Sequence, residues 1–226
     1  MVGQTQQPDL PTLDPGVTLL EVDDRTTGAL HSLVLDHLVG DGGDAVWVDA
    51  HGHGTTQPLA RIAPSMRLLN RVAIAHGFTP WQHFSLLRDL PSDLTDSTAL
   101  GVLPAFDWFY RSDDCSDREG DRLFAVARFL VADLAANTDI PLVLTRTADD
   151  DFTSPLADLA DDVVHCKGTR FGPRFAGEDF ETLVYPSGNE TFQTTLAYWQ
   201  RVLAARHPAL ASPAAQEQEV TVHGAD

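Results

Sequence analysis

Apolar residues along this chain fall into two kinds of run: short blocks rich in β-branched and aliphatic side chains, and longer stretches in which apolar positions recur every three to four residues. The blocks GVTLLEVD (16–23), DAVWVDA (44–50), RVAIAHGF (71–78), TALGVLP (98–104), IPLVLTRT (140–147) and DDVVHCK (161–167) predict strands. Between them, ALHSLVLDHLVG (29–40) predicts a helix closed by Gly40, and DRLFAVARFLVADLAANT (121–138) predicts the longest helix. PLARIAPSMRLLN (58–70) is mixed, and SLLRDLPSDL reads as a helix broken by Pro91. The stretch 179–199 predicts one or two terminal strands around the Ser187-Gly188 turn. Residues 1–15 are polar and proline-rich and predict a flexible arm; 208–226 predict a mobile polar tail. One domain over 16–207 remains. Strands alternating with helices predict an α/β fold with a mostly parallel central sheet flanked by helices and an antiparallel edge near the C-terminus.

Composition narrows the partners. Of 226 residues, 43% are hydrophobic, enough for a real core. Asp and Glu number 33 against 15 Lys and Arg, a formal charge of −18, and Lys167 is the sole lysine. An acidic, lysine-poor surface predicts a protein adapted to concentrated salt, and its field opposes a polyanion such as DNA. Two cysteines, Cys115 and Cys166, form no disulfide framework and predict a reducing compartment. No secretory leader is readable at the start, and no run of about 18 apolar residues occurs, so the expectation is a cytoplasmic protein without membrane contact.

In open α/β sheets ligands sit beyond the carboxyl ends of the strands, which directs attention to the first strand-to-helix turn. It reads DDRTTGAL (23–30), where a phosphate-binding loop needs G-x-x-x-x-G-K-[ST]. Asp23 stands at the first glycine and Gly28 is retained. Ala29 replaces the phosphate lysine, and Leu30 replaces the magnesium-binding hydroxyl. Asp23 and Asp24 would face triphosphate oxygens with only Arg25 to offset them.

From that turn onward the order of segments resembles a RecA-superfamily ATPase core and is most similar to archaeal RadA- and RadB-type recombinase domains, over roughly 16–199. VWVDAHG (46–52) resembles the second-strand motif, with Asp49 and Gly52 matching and His51 in place of the catalytic glutamate. LGVLPAFDWFYR (100–111) resembles the Walker B strand and its continuation to Arg111, with Pro104 at the magnesium-binding aspartate. PLVLTRT (141–147) resembles the sensor strand, with Arg146 and Thr147 where Asn or Gln is usual, and LADLADDVVHCKG (156–168) resembles the late strand before the sheet edge. The resemblance thus implies a RecA-like P-loop-NTPase core with a degenerate nucleotide site (Asp23, Arg25, Gly28, Ala29, Leu30, His51, Pro104, Arg146), no bound cofactor and no catalytic residues. Phosphoryl transfer rests on positioning and charge stabilisation, and those groups are gone. With the acidic composition, it implies a haloarchaeal recombinase paralogue acting as an interaction or regulatory module in DNA repair or recombination, with a protein partner or self-association.

Other patterns carry alternatives. DAHGHG (49–54) places Asp49, His51 and His53 at alternate positions after a strand, an arrangement open to zinc or manganese in a metal-dependent hydrolase, or simply a solvated glycine-rich loop. Arg25 and Arg146 leave open an atypical nucleotide sensor. GTRFGPRFAG (168–177) gathers Arg170, Phe171, Arg174 and Phe175, a candidate nucleic-acid contact or a plain edge loop. Adjacent strand residues point to opposite faces, so His165 and Cys166 predict no thiol–imidazole pair. The ADDDF run predicts a solvated loop, and FDWFYR (106–111) predicts core packing at a strand-to-helix junction.

Overall fold

The computed structural model describes residues 10–23, 28–50, 52, 56–169, 172–178, 180–182 and 195–210. Seven strands, β1 (Gly16–Val22), β2 (Asp44–Ala50), β3 (Val72–Gly77), β4 (Thr98–Leu103), β5 (Pro141–Leu144), β6 (Asp162–Thr169) and β7 (Gly172–Ala176), form one sheet in the order β3-β2-β4-β5-β1-β6-β7. Every neighbouring pair is parallel except the β6–β7 hairpin. The expected mostly parallel sheet with an antiparallel edge is what forms.

Parallel pairing requires crossovers, and right-handed crossovers fix which face each helix covers. The chain steps toward one edge through β1, β2 and β3, then returns through β4, β5 and β6. Helices α1 (Ala29–Gly40) and α2 (Thr56–Ile62) therefore cover one face, joined by α6 (Thr195–Arg206); α3 (Pro80–Asp93), α4 (Asp117–Asn137) and α5 (Ser154–Leu159) cover the other. The core divides accordingly. Leu20, Trp47 and Val102 pack with Leu33, Leu59 and Trp199 on the first face, while Leu19, Val48 and Leu103 pack with Leu87, Phe124 and Leu156 on the second. Successive residues of one strand, such as Leu19 and Leu20, serve opposite layers, as the two-residue period of a strand dictates.

Several local expectations change. Pro91 does not end its helix at once: α3 gives up one N–H bond there and stops two residues later, at Asp93. The mixed stretch resolves into α2 and a short 3-10 helix, Met66–Arg71. Within 179–199, predicted as strand, residues 195–199 open α6; Leu196, Trp199 and Leu203 recur at helical spacing that becomes visible only beyond position 199. Leu10 and Leu13, read as part of a loose arm, are buried against the first-face core, and Leu210 packs there too. Phe106, Phe109 and Tyr110 are buried as the junction reading expects.

One close approach depends on glycine. A Cβ at Gly120 would overlap the Tyr110 carbonyl oxygen, so α4 abuts the turn Trp108–Arg111 backbone to backbone. In urea titrations, Trp199→Ala is expected to lower stability by about 3–5 kcal/mol. Gly120→Ala is expected to lower it by about 1–3 kcal/mol, with the denaturant slope unchanged in both.

Candidate functional site

Beyond the carboxyl ends of β5, β1 and β6 lies a cleft of about 300 Å³, lined by Glu21, Asp23, Arg146, Asp149, His165 and Lys167 among others. Glu21 shares a strand face with Val17 and Leu19, which sets its carboxylate between the two neighbouring strands. Its Oε1 receives the Arg146 guanidinium, and its Oε2 lies 2.8 Å from His165 Nδ1. Arg146 also meets Asp149 Oδ1 at 2.7 Å, and its buried Nε has no partner. Three carboxylates, from Glu21, Asp23 and Asp149, surround two cations, so Arg146 is neutralised within the chain and the cleft lacks the positive field that phosphate needs. Asp23 continues from β1 and donates its backbone N–H to the Cys166 carbonyl at 2.9 Å. Cys166 itself is buried in the first-face core; burial, with Asp23 nearby, pushes its thiol up to about 12, and His165 points away from it.

At the start of α1, Gly28 adopts φ +85°, a left-handed conformation that favours glycine. A Cβ there would meet Leu196 at 2.8 Å and Trp199 at 3.0 Å, so α6 lies directly against this turn. Ala29 and Leu30 are buried apolar side chains. The described part of the turn offers no side-chain cation or hydroxyl to a phosphate. Arg25, with the rest of 24–27, lies outside the described residues.

Pro104 is buried at the end of β4, in a turn whose Ala105 has φ +46°. The Ala105 N–H donates to Thr145 Oγ1 at 2.8 Å, and Phe106 N–H to the Thr145 carbonyl at 2.9 Å. Asp107 completes the stitch. Fully buried, it accepts from Thr147 N–H at 2.7 Å and Thr147 Oγ1 at 2.5 Å, and meets Arg111 Nε at 2.7 Å. Arg111 continues to Asp150 at 3.0 and 3.1 Å; that contact holds the Asp150 carboxyl down, at about 2. The ADDDF run is thus partly a structural clamp.

A second group sits where β2 and β3 end. Asp49 is fully buried and accepts from Gly52 N–H at 2.9 Å, while its Oδ2 lies 2.9 Å from His76 Nδ1. His51 and His53 lie outside the described residues. On α3, His83 is buried with Nδ1 2.9 Å from the Tyr110 hydroxyl and Nε2 unpartnered. Burial lowers its pKa to about 4, with Asp49 opposing, and burial alone does the same to His31, whose ring lies tilted against Trp47 with centroids 5.4 Å apart. Among the described residues no three His, Cys, Asp or Glu side chains gather as a metal site.

The hairpin cluster does not form a base-stacking platform from its described members. Phe175 is buried against Trp199, ring centroids 5.5 Å apart, and Arg174 is paired with Glu181 at 2.5 Å. Strand alternation explains it: Phe175 pairs with core-facing Cys166, sending its ring inward. Arg170 and Phe171 lie outside the described residues. Among the described residues no helix is long and apolar enough to cross a membrane.

Sequence reading found Arg146, Asp49 and the buried cysteine but missed Glu21, His165, Asp107 and His76. A lone carboxylate inside an apolar strand block was the available signal for Glu21; Asp107 and Arg111, four apart, were the signal for the clamp. No protein-family model matches this chain, and no curated protein matches it.

Asp107→Ala removes two Thr147 hydrogen bonds and leaves Arg111 with Asp150 alone, and is expected to lower unfolding free energy by about 1–3 kcal/mol in urea titrations. Buried neutral His31 and His83 bind protons in the unfolded chain first, so their contribution to stability falls as pH drops from about 6.5 to about 4. Over that window, stability of His83→Gln is expected to decline less steeply with falling pH than that of the parent chain.

Proposed function

We propose that this chain is a RecA-like domain without NTPase chemistry that works as an interaction or regulatory module. The strand order supports the fold reading: the segments likened to the phosphate-loop, sensor and Walker B strands become β1, β5 and β4, side by side, with all their carboxyl ends on one edge. The observation that carries the functional reading is the start of α1. Its first two side chains are buried Ala29 and Leu30, and Leu196 and Trp199 of α6 pack against Gly28, the position a triphosphate would need to approach. Arg146, which lines the adjoining cleft, is already bound by Glu21 and Asp149. DNA repair or recombination is the setting the resemblance favours. With a net charge of −18, contact there would run through protein, not through the DNA backbone.

A thermal unfolding scan in molar KCl, with and without ATP and Mg²⁺, tests this reading. A ligand at 100 times its Kd adds about 2.7 kcal/mol, a rise of roughly 5–10 °C for a chain of this size. No shift is expected, and a clear one overturns the reading.

One observation favours a second reading, a metal-dependent hydrolase built on Asp49, His51 and His53. The 2.9 Å contact between Asp49 and His76 sets a further half-exposed imidazole against Asp49 at the same strand ends. Elemental analysis of the purified protein decides it. Stoichiometric zinc or manganese, lost in His76→Ala, supports the hydrolase; none is expected if the module reading holds.

A further inference from the structure

Helix α4 is the longest among the described residues, 21 residues or about 31 Å, and it buries one stripe, Phe124, Ala127, Val131 and Leu134, against the sheet. The opposite stripe carries two of the large apolar side chains the structure leaves exposed, Val126 at 45% and Phe129 at 66%. Flanking them are Arg122 and Asp133, both exposed, so that 122, 126, 129 and 133 follow a 4-3-4 spacing along one line of the helix. Arg118 and Arg122 have no ion-pair partner among the described residues, although acids outnumber bases 33 to 15. A stripe with cations at its N-terminal end, apolar residues at its centre and an acid at its C-terminal end is self-complementary when reversed.

We propose that this chain forms a two-fold homodimer by pairing α4 antiparallel with α4 of a second copy. The inference rests on the interaction-module reading and names its partner. Placing the two-fold axis between positions 126 and 129 sets Val126 against the second copy's Phe129 and Arg122 against the second copy's Asp133, each contact occurring twice by symmetry. Phe129 is the anchor: a large ring that loses water on pairing, while the ion pairs at either end fix the antiparallel register. A lone helix pair buries less than the roughly 1,200–2,000 Å² of a standard interface, so the dimer is weak and concentration-dependent. Each copy carries −18, and the resulting repulsion reaches about 30 Å at 0.01 M salt but only about 3 Å at 1 M. Association is therefore promoted by salt: screening removes the long-range repulsion, and the apolar contact at the centre persists.

Sedimentation velocity of the whole chain, from micromolar to millimolar protein in dilute and in molar KCl, tests the proposal. The expected result is a monomer of 24.6 kDa in dilute salt and a growing dimer fraction in molar salt. Phe129→Glu is expected to weaken the dimer at least about tenfold, or about 1.4 kcal/mol. Arg122→Asp and Asp133→Arg, each placing like charges face to face twice per dimer, are each expected to weaken it, and the double exchange to restore it. All three substituted positions are exposed, so circular dichroism and melting temperature should match the parent and serve as folding controls. A chain that stays monomeric throughout overturns the proposal. So does a dimer indifferent to Phe129→Glu, or charge variants that the double exchange fails to rescue. None of these outcomes depends on nucleotide: a melting shift with ATP would overturn the non-catalytic reading and leave the dimer standing, while a monomer would leave that reading intact.

Discussion

The buried carboxylate of Asp107 ties together what the parallel sheet alone leaves loose. Strands β4 and β5 pair over only a few residues, and beyond that pairing the chain turns through Pro104 and the left-handed Ala105. A fully buried charge in such a place is tolerable only if its oxygens are satisfied. Thr147 supplies two donors from the far side of β5, and Arg111 supplies a third contact before reaching on to Asp150. The carboxyl edge of the sheet is thereby fixed from β4 across to the loop after β5, and Arg146, one residue before Thr147, is delivered to Glu21. The geometry of the cleft follows from that stitch.

The sheet changes direction in two places, between β1 and β5 and between β2 and β4, and each is a crevice of the kind in which open α/β sheets bind ligands. In this chain both are occupied by the protein's own charges. Glu21, Arg146 and His165 fill the first; Asp49 with His76 lies at the second. A guanidinium held between two carboxylates gains little from an incoming phosphate, because the phosphate must first displace partners of the same charge. The packing of Leu196 and Trp199 on Gly28 acts in the same direction by placing apolar surface where a solvated anion would have to come.

Much of this fold was legible because its signals are local. DAVWVDA matches β2 end to end, and ALHSLVLDHLVG matches α1, since apolar blocks are written within a dozen residues; the glycines that turn left-handed after α1 are Gly42 and Gly43, not Gly40. What the sequence hid depends on distance. Glu21 and Arg146 are 125 residues apart, and Asp107 and Thr147 are 40 apart; nothing in either local pattern names the partner. Helix α6 has a period that straddles position 199, and α3 stops two residues after Pro91 rather than at it. Composition shows Phe175 as an aromatic near arginines and leaves a nucleic-acid contact open, while the pairing register that turns its ring inward is a property of two strands together.

The near-absence of lysine gives these observations a common logic. A guanidinium presents a planar fork that holds two carboxylate oxygens at once, or two carboxylates, whereas an ammonium is a strongly hydrated point charge. In a chain with 33 acids, three arginines tie carboxylates into the fold. Arg206 grips Asp36 through two nitrogens and fastens α6 to α1; Arg146 joins Glu21 to Asp149; Arg111 joins Asp107 to Asp150. Cations used this way make the fold self-consistent and leave little positive field for an outside anion. Arg118 and Arg122 break the pattern. They sit on the solvent side of α4, at the N-terminal end of a helix, where the dipole disfavours a positive charge. Arg122, three residues after Glu119 and beside exposed Val126 and Phe129, is itself exposed and open to Asp133 of a reversed second copy.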